Sequence, residues 1–351
     1  MASIDADHQL LLDRLMETWP KLELIGCTTD GEISSELGFC EDSIALVLFC
    51  DVEIHAGIGL GLSKSNQQAC QDAAEMARAK CGSAPSLCIT TPESLTSNGE
   101  LTVKNLQAAL GEGVPLFGGI AADQWRFKAT YQFYGNQLFQ DAVPLLLFSG
   151  DLAFSYGVAS GWKPIGEAAV VTKAEGNLVY QIDQMTAMDY YRRYLGSAAV
   201  PTGGFPLAIL GPEGNIEYLR SSMENYDLEQ GSITYYGDVP QGSKVQITVA
   251  DRNAIIEGCS QSLDLALERF PEGAQLQVAI CVSCAARKLL LGTKTEEESK
   301  LIAQKLGPQL PMIGFYSYGE VAPSLLDEDR AQFHNETFVT LLLGSKSNST
   351  H

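Results

Sequence analysis

Apolar residues fall along this chain in short blocks, each preceded by a stretch of helical spacing. Leu10, Leu11, Leu12, Leu15 and Met16 lie on such a spacing between Asp7 and Trp19, and Pro20 ends the run. The apolar pair Leu24-Ile25 then leads into Gly26-Cys27-Thr28-Thr29-Asp30-Gly31-Glu32-Ile33. Near the other end, Pro311-Met312-Ile313 leads into Gly314-Phe315-Tyr316-Ser317-Tyr318-Gly319-Glu320-Val321. In both copies the glycines are five apart, and the second precedes Glu and a β-branched residue. An apolar block follows each copy, at 43–49 and at 337–343, and a partial third echo, Pro115-Leu116-Phe117-Gly118-Gly119, stands between them. Helix, strand and glycine in this order predict a duplicated α/β architecture with mixed sheets, whose functional loops follow strand ends.

The same periodicities place further helices near 67–79, 103–110, 185–195, 252–269 and 295–306. Strands are predicted at 43–49, 54–62, 86–90, 168–172, 232–236, 244–249 and 275–282, with hairpins at Gly135-Asn136 and across 205–220. Gly196, Pro201, Gly203, Gly204 and Pro206 read as a boundary, giving two domains, 1–200 and 201–351. The expected fold class is α/β, mixed α+β: two similar halves with mixed sheets flanked by helices.

Charge narrows the choice of function. A net charge of -20 repels phosphate backbones and anionic lipid, so neither nucleic acid nor a membrane is an expected partner. No apolar run reaches the ~20 residues that span a bilayer, and the start of the chain shows no leader pattern. Nine scattered cysteines suit reduced thiols, and a cytoplasmic protein is the expectation.

Catalytic and metal motifs are sparse. Cys281-Val282-Ser283-Cys284 has redox spacing after a predicted strand, but no second pair completes a zinc site. Gly57, Gly59 and Gly61 alternate within a strand pattern and read as close packing rather than a nucleotide loop. Of the four histidines, His8 falls on the polar side of the first helix, His55 within a strand, and His351 at the terminus. His334 stands at the mouth of the last strand, where it orients a ligand, caps a turn or binds haem iron. No serine–histidine–acid set or G-x-S-x-G elbow occurs, so no enzyme is expected.

Several segments together resemble a known family. Ile25 to Ile33, Phe117-Gly118-Gly119-Ile120-Ala121-Ala122-Asp123 and Gly157-Val158-Ala159-Ser160-Gly161-Trp162 resemble the N-terminal half of FIST (F-box and intracellular signal transduction) sensory proteins. Cys284-Ala285-Ala286-Arg287-Lys288, Gly314 to Glu320 and His334-Asn335-Glu336-Thr337 are similar to the C-terminal half. The resemblance implies a sensory domain that binds a small ligand, an amino acid or small acid, and signals to a separate partner such as a histidine kinase. It also implies haem in a nitric-oxide-sensing subset, with His334 as the candidate axial ligand. Such proteins usually carry an extra strand and helix before the first Gly-Cys-Thr-Thr, so one edge of the N-terminal sheet is expected to be missing or supplied elsewhere. The expected ligand residues are Thr28, Thr29, Asp123, Arg287, Tyr316, Tyr318, Glu320 and His334, in a cleft between the halves. Arg287 would grip a carboxylate, and Glu320 or Asp123 an amine. The competing reading is that Glu32, Glu320 and Arg287 tie loops together. A scaffold without a ligand is a second functional class, and an enzyme a third, with the loop cysteines Cys27 and Cys284 as its only nucleophile candidates.

Overall fold

The computed structural model describes residues 1–324 and 330–346; His351 lies outside them. The described residues form seven α-helices and 24 strands in four sheets, a mixed α+β fold. Two six-stranded sheets share one topology. The first runs Ala331–His334, Glu320–Pro323, Leu116–Gly119, Pro85–Thr90, Ala142–Ser149, Glu53–Leu60. The second runs Gly38–Cys40, Glu32–Ser34, Met312–Ser317, Gln275–Cys284, Phe338–Ser345, Leu152–Ala159. In each, the third and fourth strands are parallel and every other pair is antiparallel. The two sheets are built on Gly118 of the partial echo and on Gly314, whereas Gly26 of the repeated pattern lies in a separate four-stranded sheet, Ala2–Ser3, Ile25–Thr29, Gln132–Tyr134, Gln137–Phe139.

Glycine is required where the parallel strands meet. Gly118 lies opposite Thr90 and Gly314 opposite Cys281. A Cβ there would stand 1.9 Å from the Thr90 carbonyl oxygen and 2.3 Å from that of Cys281, well inside van der Waals contact.

The halves are interlocked by exchanged hairpins. The hairpin after Gly31 pairs with Met312–Ser317, and the one after Gly319 pairs with Leu116–Gly119. A third hairpin, Gln132–Tyr134 with Gln137–Phe139, pairs with Ile25–Thr29. Registers correspond: Ile33 faces Gly314, Val321 faces Gly118, and Phe133 faces Gly26. The partial echo at 115–119 is therefore a full third unit, and each unit lends its hairpin to another in a closed cycle.

The recurrent glutamate has a structural task in this exchange. Glu32 accepts from Thr29 Oγ1, Ser43 N and Ser43 Oγ; Glu320 accepts from Ser317 Oγ, Thr337 N and Thr337 Oγ1. In the third unit Gln132 takes the place, accepting from Ala142 N at 3.3 Å. Each carboxylate or amide thus ties a hairpin to the start of the segment that follows it.

Two expectations change. Residues 43–49 form no ladder; Ile44 alone makes a bridge, to Ala2, because no strand lies alongside the rest. His8 is buried rather than on a polar face: the chain's first residues fold over it, and its Nε2 meets the Ser3 carbonyl at 2.8 Å.

Helices close the outer faces. On Asn66–Arg78 the small residues Ala69, Ala73 and Ala77 are buried against the strand Glu53–Leu60. The helix comes so near that a Cβ on Gly57 or Gly59 would strike the Ala73 or Ala69 carbonyl, at 2.0 and 1.7 Å, so these two glycines are packing residues, whereas Gly61 serves a turn at φ +79°. The inner faces of the sheets meet in a central core that includes Phe117, Phe148, Val282, Phe315 and Leu341. A fourth sheet is inserted between 163 and 249, carries the helix Ala187–Leu195, and has its own core around Val171, Tyr191, Tyr235 and Ile247.

Candidate functional site

Where the inserted sheet meets the body, a cleft of about 660 Å³ opens. One wall is aromatic. Phe127 stacks on Tyr318 with ring centroids 5.3 Å apart, and Trp125 meets both edgewise or tilted at 5.8 and 5.7 Å. The loop that carries them is conformationally unusual, with positive φ at Gln124, Trp125 and Phe127. Asp123 holds it: the buried carboxylate accepts from Phe127 N, Lys128 N, Ala129 N and the Tyr318 hydroxyl at 2.7–3.2 Å. Trp125 Nε1 donates to Asp30 Oδ2 at 3.1 Å. Burial pushes Asp30 up to about 6, although Lys288 stands 3.2 Å away.

The opposite walls are Thr202–Phe205, Met223, Leu289 and Leu290, and the polar floor is Ser221, Asn335 and Glu336. Glu336 is fully buried and has positive φ. Its Oε1 accepts from Ser221 Oγ at 2.7 Å, whereas its Oε2 has no partner among the described residues. Burial raises this carboxyl to about 7, opposed by the Ser221 hydrogen bond and by Arg287. A carboxyl with a free oxygen at the floor of a largely apolar cleft is the arrangement that receives a hydrogen-bond donor or a cation.

Of the eight residues expected from the sequence, Tyr318 lines this cleft. The others sit in buried knots. Thr28 Oγ1 accepts from Tyr131 N, close to the Asp123 cluster, and Thr29 belongs to the Glu32 tie. Arg287 donates to both Glu298 Oε1 and the carbonyls of Ile255, Ser160 and Glu336, while Glu298 Oε2 accepts from Tyr316 and Ser283. Its guanidinium is thus spent on the fold. Glu320 is pushed up to about 8 by burial within its own hairpin tie.

His334 is fully buried, with Nε2 3.4 Å from the Pro323 carbonyl, and burial lowers its pKa to about 4. It lines neither this cleft nor the apolar cavity between residues 22–26 and 45–49, so these residues do not fit a haem held by His334. Cys284 lines the cleft, but burial holds its thiol well above the ordinary range, and Cys27 is raised to about 12. Neither is an activated nucleophile.

Sequence reasoning missed Glu336, Ser221, Trp125 and Phe127. The signal for Glu336 was present: an acid beside His334 at the mouth of an apolar strand. Ser221 and the aromatic loop carried none, because the fold alone brings residues 125, 221 and 336 together.

These features define a class: duplicated α+β proteins whose units trade hairpins and whose inserted sheet covers a cleft. Within that class the chain belongs to the FIST family, residues 1–185 matching the FIST N domain and 187–323 the FIST C domain. FIST domains are sensory domains of signal transduction. An uncharacterized protein of Methanocaldococcus jannaschii is 24% identical over 272 residues, covering 68% of this chain and 50% of that protein. An uncharacterized protein of Mycobacterium tuberculosis is 26% identical over 254 residues, covering 68% and 63%. The chain therefore spans about half to two thirds of the length of these relatives. No helix among the described residues is long and apolar enough to cross a membrane.

Proposed function

We propose that this chain is a sensory protein that binds a small amine in the cleft and passes its state to a separate signalling protein, such as a histidine kinase, in the cytoplasm. The unpartnered, buried Oε2 of Glu336 carries the reading. An ammonium placed there completes the hydrogen bonding of a group whose isolation is unfavourable. Trp125, Phe127 and Tyr318 offer faces to an apolar or cationic body beside it. A small acid fits less well, since Arg287 is engaged with Glu298 and the charge at the cleft floor is negative. Sensing follows from position. A ligand on Glu336 touches the body, the inserted sheet through Ser221, and the loop 124–127 at once, so occupancy biases how these parts sit.

Titration calorimetry with a panel of primary amines tests this. Affinity is expected to rise at least tenfold as pH passes upward through about 7, because the ionised Glu336 is the binding form. Glu336→Gln should weaken binding about tenfold and flatten that pH dependence. Amines that fail to bind, or that bind Glu336→Gln as well as wild type, would sink the proposal.

A further inference from the structure

The charges around the cleft are of one sign. Its lining holds two acidic side chains, Glu336 at the floor and Glu224 at the exposed mouth, and no lysine, arginine or histidine among the described residues. Between them the walls are apolar, with Phe127 and Tyr318 on one side and Leu289, Leu290 and Met223 on the other. A buried carboxylate, an apolar passage and an exposed carboxylate thus belong to a single cleft.

The backbone is bent to bring these groups in. The strand Ser222–Asp227 loses register against Ser232–Tyr235 between Ser222 and Asn225, a bulge that takes Met223 and Glu224 out of the ladder. Glu224 sits there at φ +55°, its N–H donating to Ser222 Oγ at 3.1 Å. Its carboxylate has no hydrogen bond or ion pair among the described residues. Glu336 stands at φ +59°. With Trp125 and Phe127, four of the nine described non-glycine residues at positive φ line this one cleft, a concentration that strained backbone shows at ligand clamps.

Glycine keeps the floor open. Neither Gly203 nor Gly204 has the left-handed backbone that calls for glycine. A Cβ on Gly203 would meet Ser221 Oγ at 3.4 Å and Glu336 Oε1 at 3.6 Å, both ordinary contact distances. Alanine would therefore fit the fold. What it would remove is the space over the carboxylate.

We infer that the amine this cleft takes is a linear aliphatic diamine, with one ammonium on the free Oε2 of Glu336 and the other at Glu224. The assignment rests on the cleft being an amine site, and it adds the second charge. The methylene chain lies along the apolar walls, and a carboxylate neutralises each end. An amine with one charge and an apolar tail makes the opposite demand of the mouth. A second ammonium among purely apolar groups loses water without gaining a partner, so a mouth without Glu224 would favour the monoamine. Glu224 reverses that order through an exposed ion pair worth about threefold in affinity.

Titration calorimetry of the whole chain at about pH 8, where Glu336 is largely ionised, compares diaminobutane, diaminopentane and diaminohexane with the monoamines of equal length. At least one diamine should bind about threefold or more tightly than its monoamine, and added salt should weaken the diamine more. Glu224→Gln should reverse the order and leave the melting curve unchanged, because the side chain is exposed. Gly203→Ala should also melt normally, yet weaken both kinds of amine about tenfold by overfilling the floor. Monoamines that bind more tightly than every diamine, or a diamine preference untouched by Glu224→Gln, overturn the diamine assignment and leave the amine site standing. The salt comparison needs no variant, and equal slopes for the two classes overturn the assignment as well. Wild-type affinity in Gly203→Ala overturns the placement of the ammonium beside it. Should neither class bind, the amine site and the diamine fall together.

Discussion

Replacing Arg287 by alanine separates a structural guanidinium from a ligand-binding one. Arg287 and Glu298 are both fully buried, 2.6 Å apart. The guanidinium also donates to the Ile255 carbonyl at 2.8 Å and to the Ser160 and Glu336 carbonyls. Arg287→Ala leaves the Glu298 carboxylate buried with just the Tyr316 and Ser283 hydroxyls, at 2.6 and 3.1 Å. Breaking a buried pair on one side costs about 3–5 kcal/mol, most of it from the stranded charge. Spread over the unfolding entropy of a chain this long, that lowers Tm by about 5 °C. The double variant Arg287→Met with Glu298→Gln removes both charges and keeps an acceptor for Tyr316. It should recover about 1–2 kcal/mol of the loss. Urea unfolding followed by circular dichroism measures all three proteins. If Arg287→Ala keeps its stability within about 1 kcal/mol and instead loses amine binding, the assignment of Arg287 to the fold is wrong.

Three further outcomes follow from the geometry. Gly118→Ala, which forces a Cβ against the Thr90 carbonyl at φ +142°, should unfold the protein or cost more than about 4 kcal/mol, whereas Gly113→Ala, with open space around it, should be silent by the same melt. Glu320 and Glu336 are held at about 8 and about 7 in the folded chain against an ordinary 4.5, so the native state binds more protons between those values. Their contribution is intact below pH 4.5 and is lost as pH rises through 7 to 8; a Glu336→Gln melt series should show a shallower decline over that window. A thiol reagent should modify exposed Cys50 at once and half-buried Cys40 and Cys81 more slowly, while Cys27 and Cys284 resist until unfolding; rapid labelling of Cys284 would contradict the burial described for it.

Local physics made much of this fold legible in the sequence. Helical spacing marked residues 7–19, 252–269 and 295–306, observed as His8–Thr18, Arg252–Arg269 and Glu296–Leu306, since an amphipathic face is written in the order of residues. The repeated Gly-x-x-x-x-Gly-Glu marked two equivalent strand ends, because a Cβ at Gly314 would strike the Cys281 carbonyl and one at Gly26 the Phe133 ring, and each hairpin needs its tie. Partners across space were not written there. Residues 43–49 carry the pattern of a strand yet have no ladder, as pairing depends on what lies alongside rather than on the segment itself. Arg287 and Glu320 have the chemistry of ligand residues, but the tertiary structure surrounds them with Glu298 and with Thr337 and satisfies them internally. Glu336 looked no different in sequence. Its isolation arises because the exchanged hairpins and the inserted sheet bring Ser221 to one carboxylate oxygen and nothing described to the other. Residue type sets what a side chain is able to bind; the fold decides which of those capacities is left unspent.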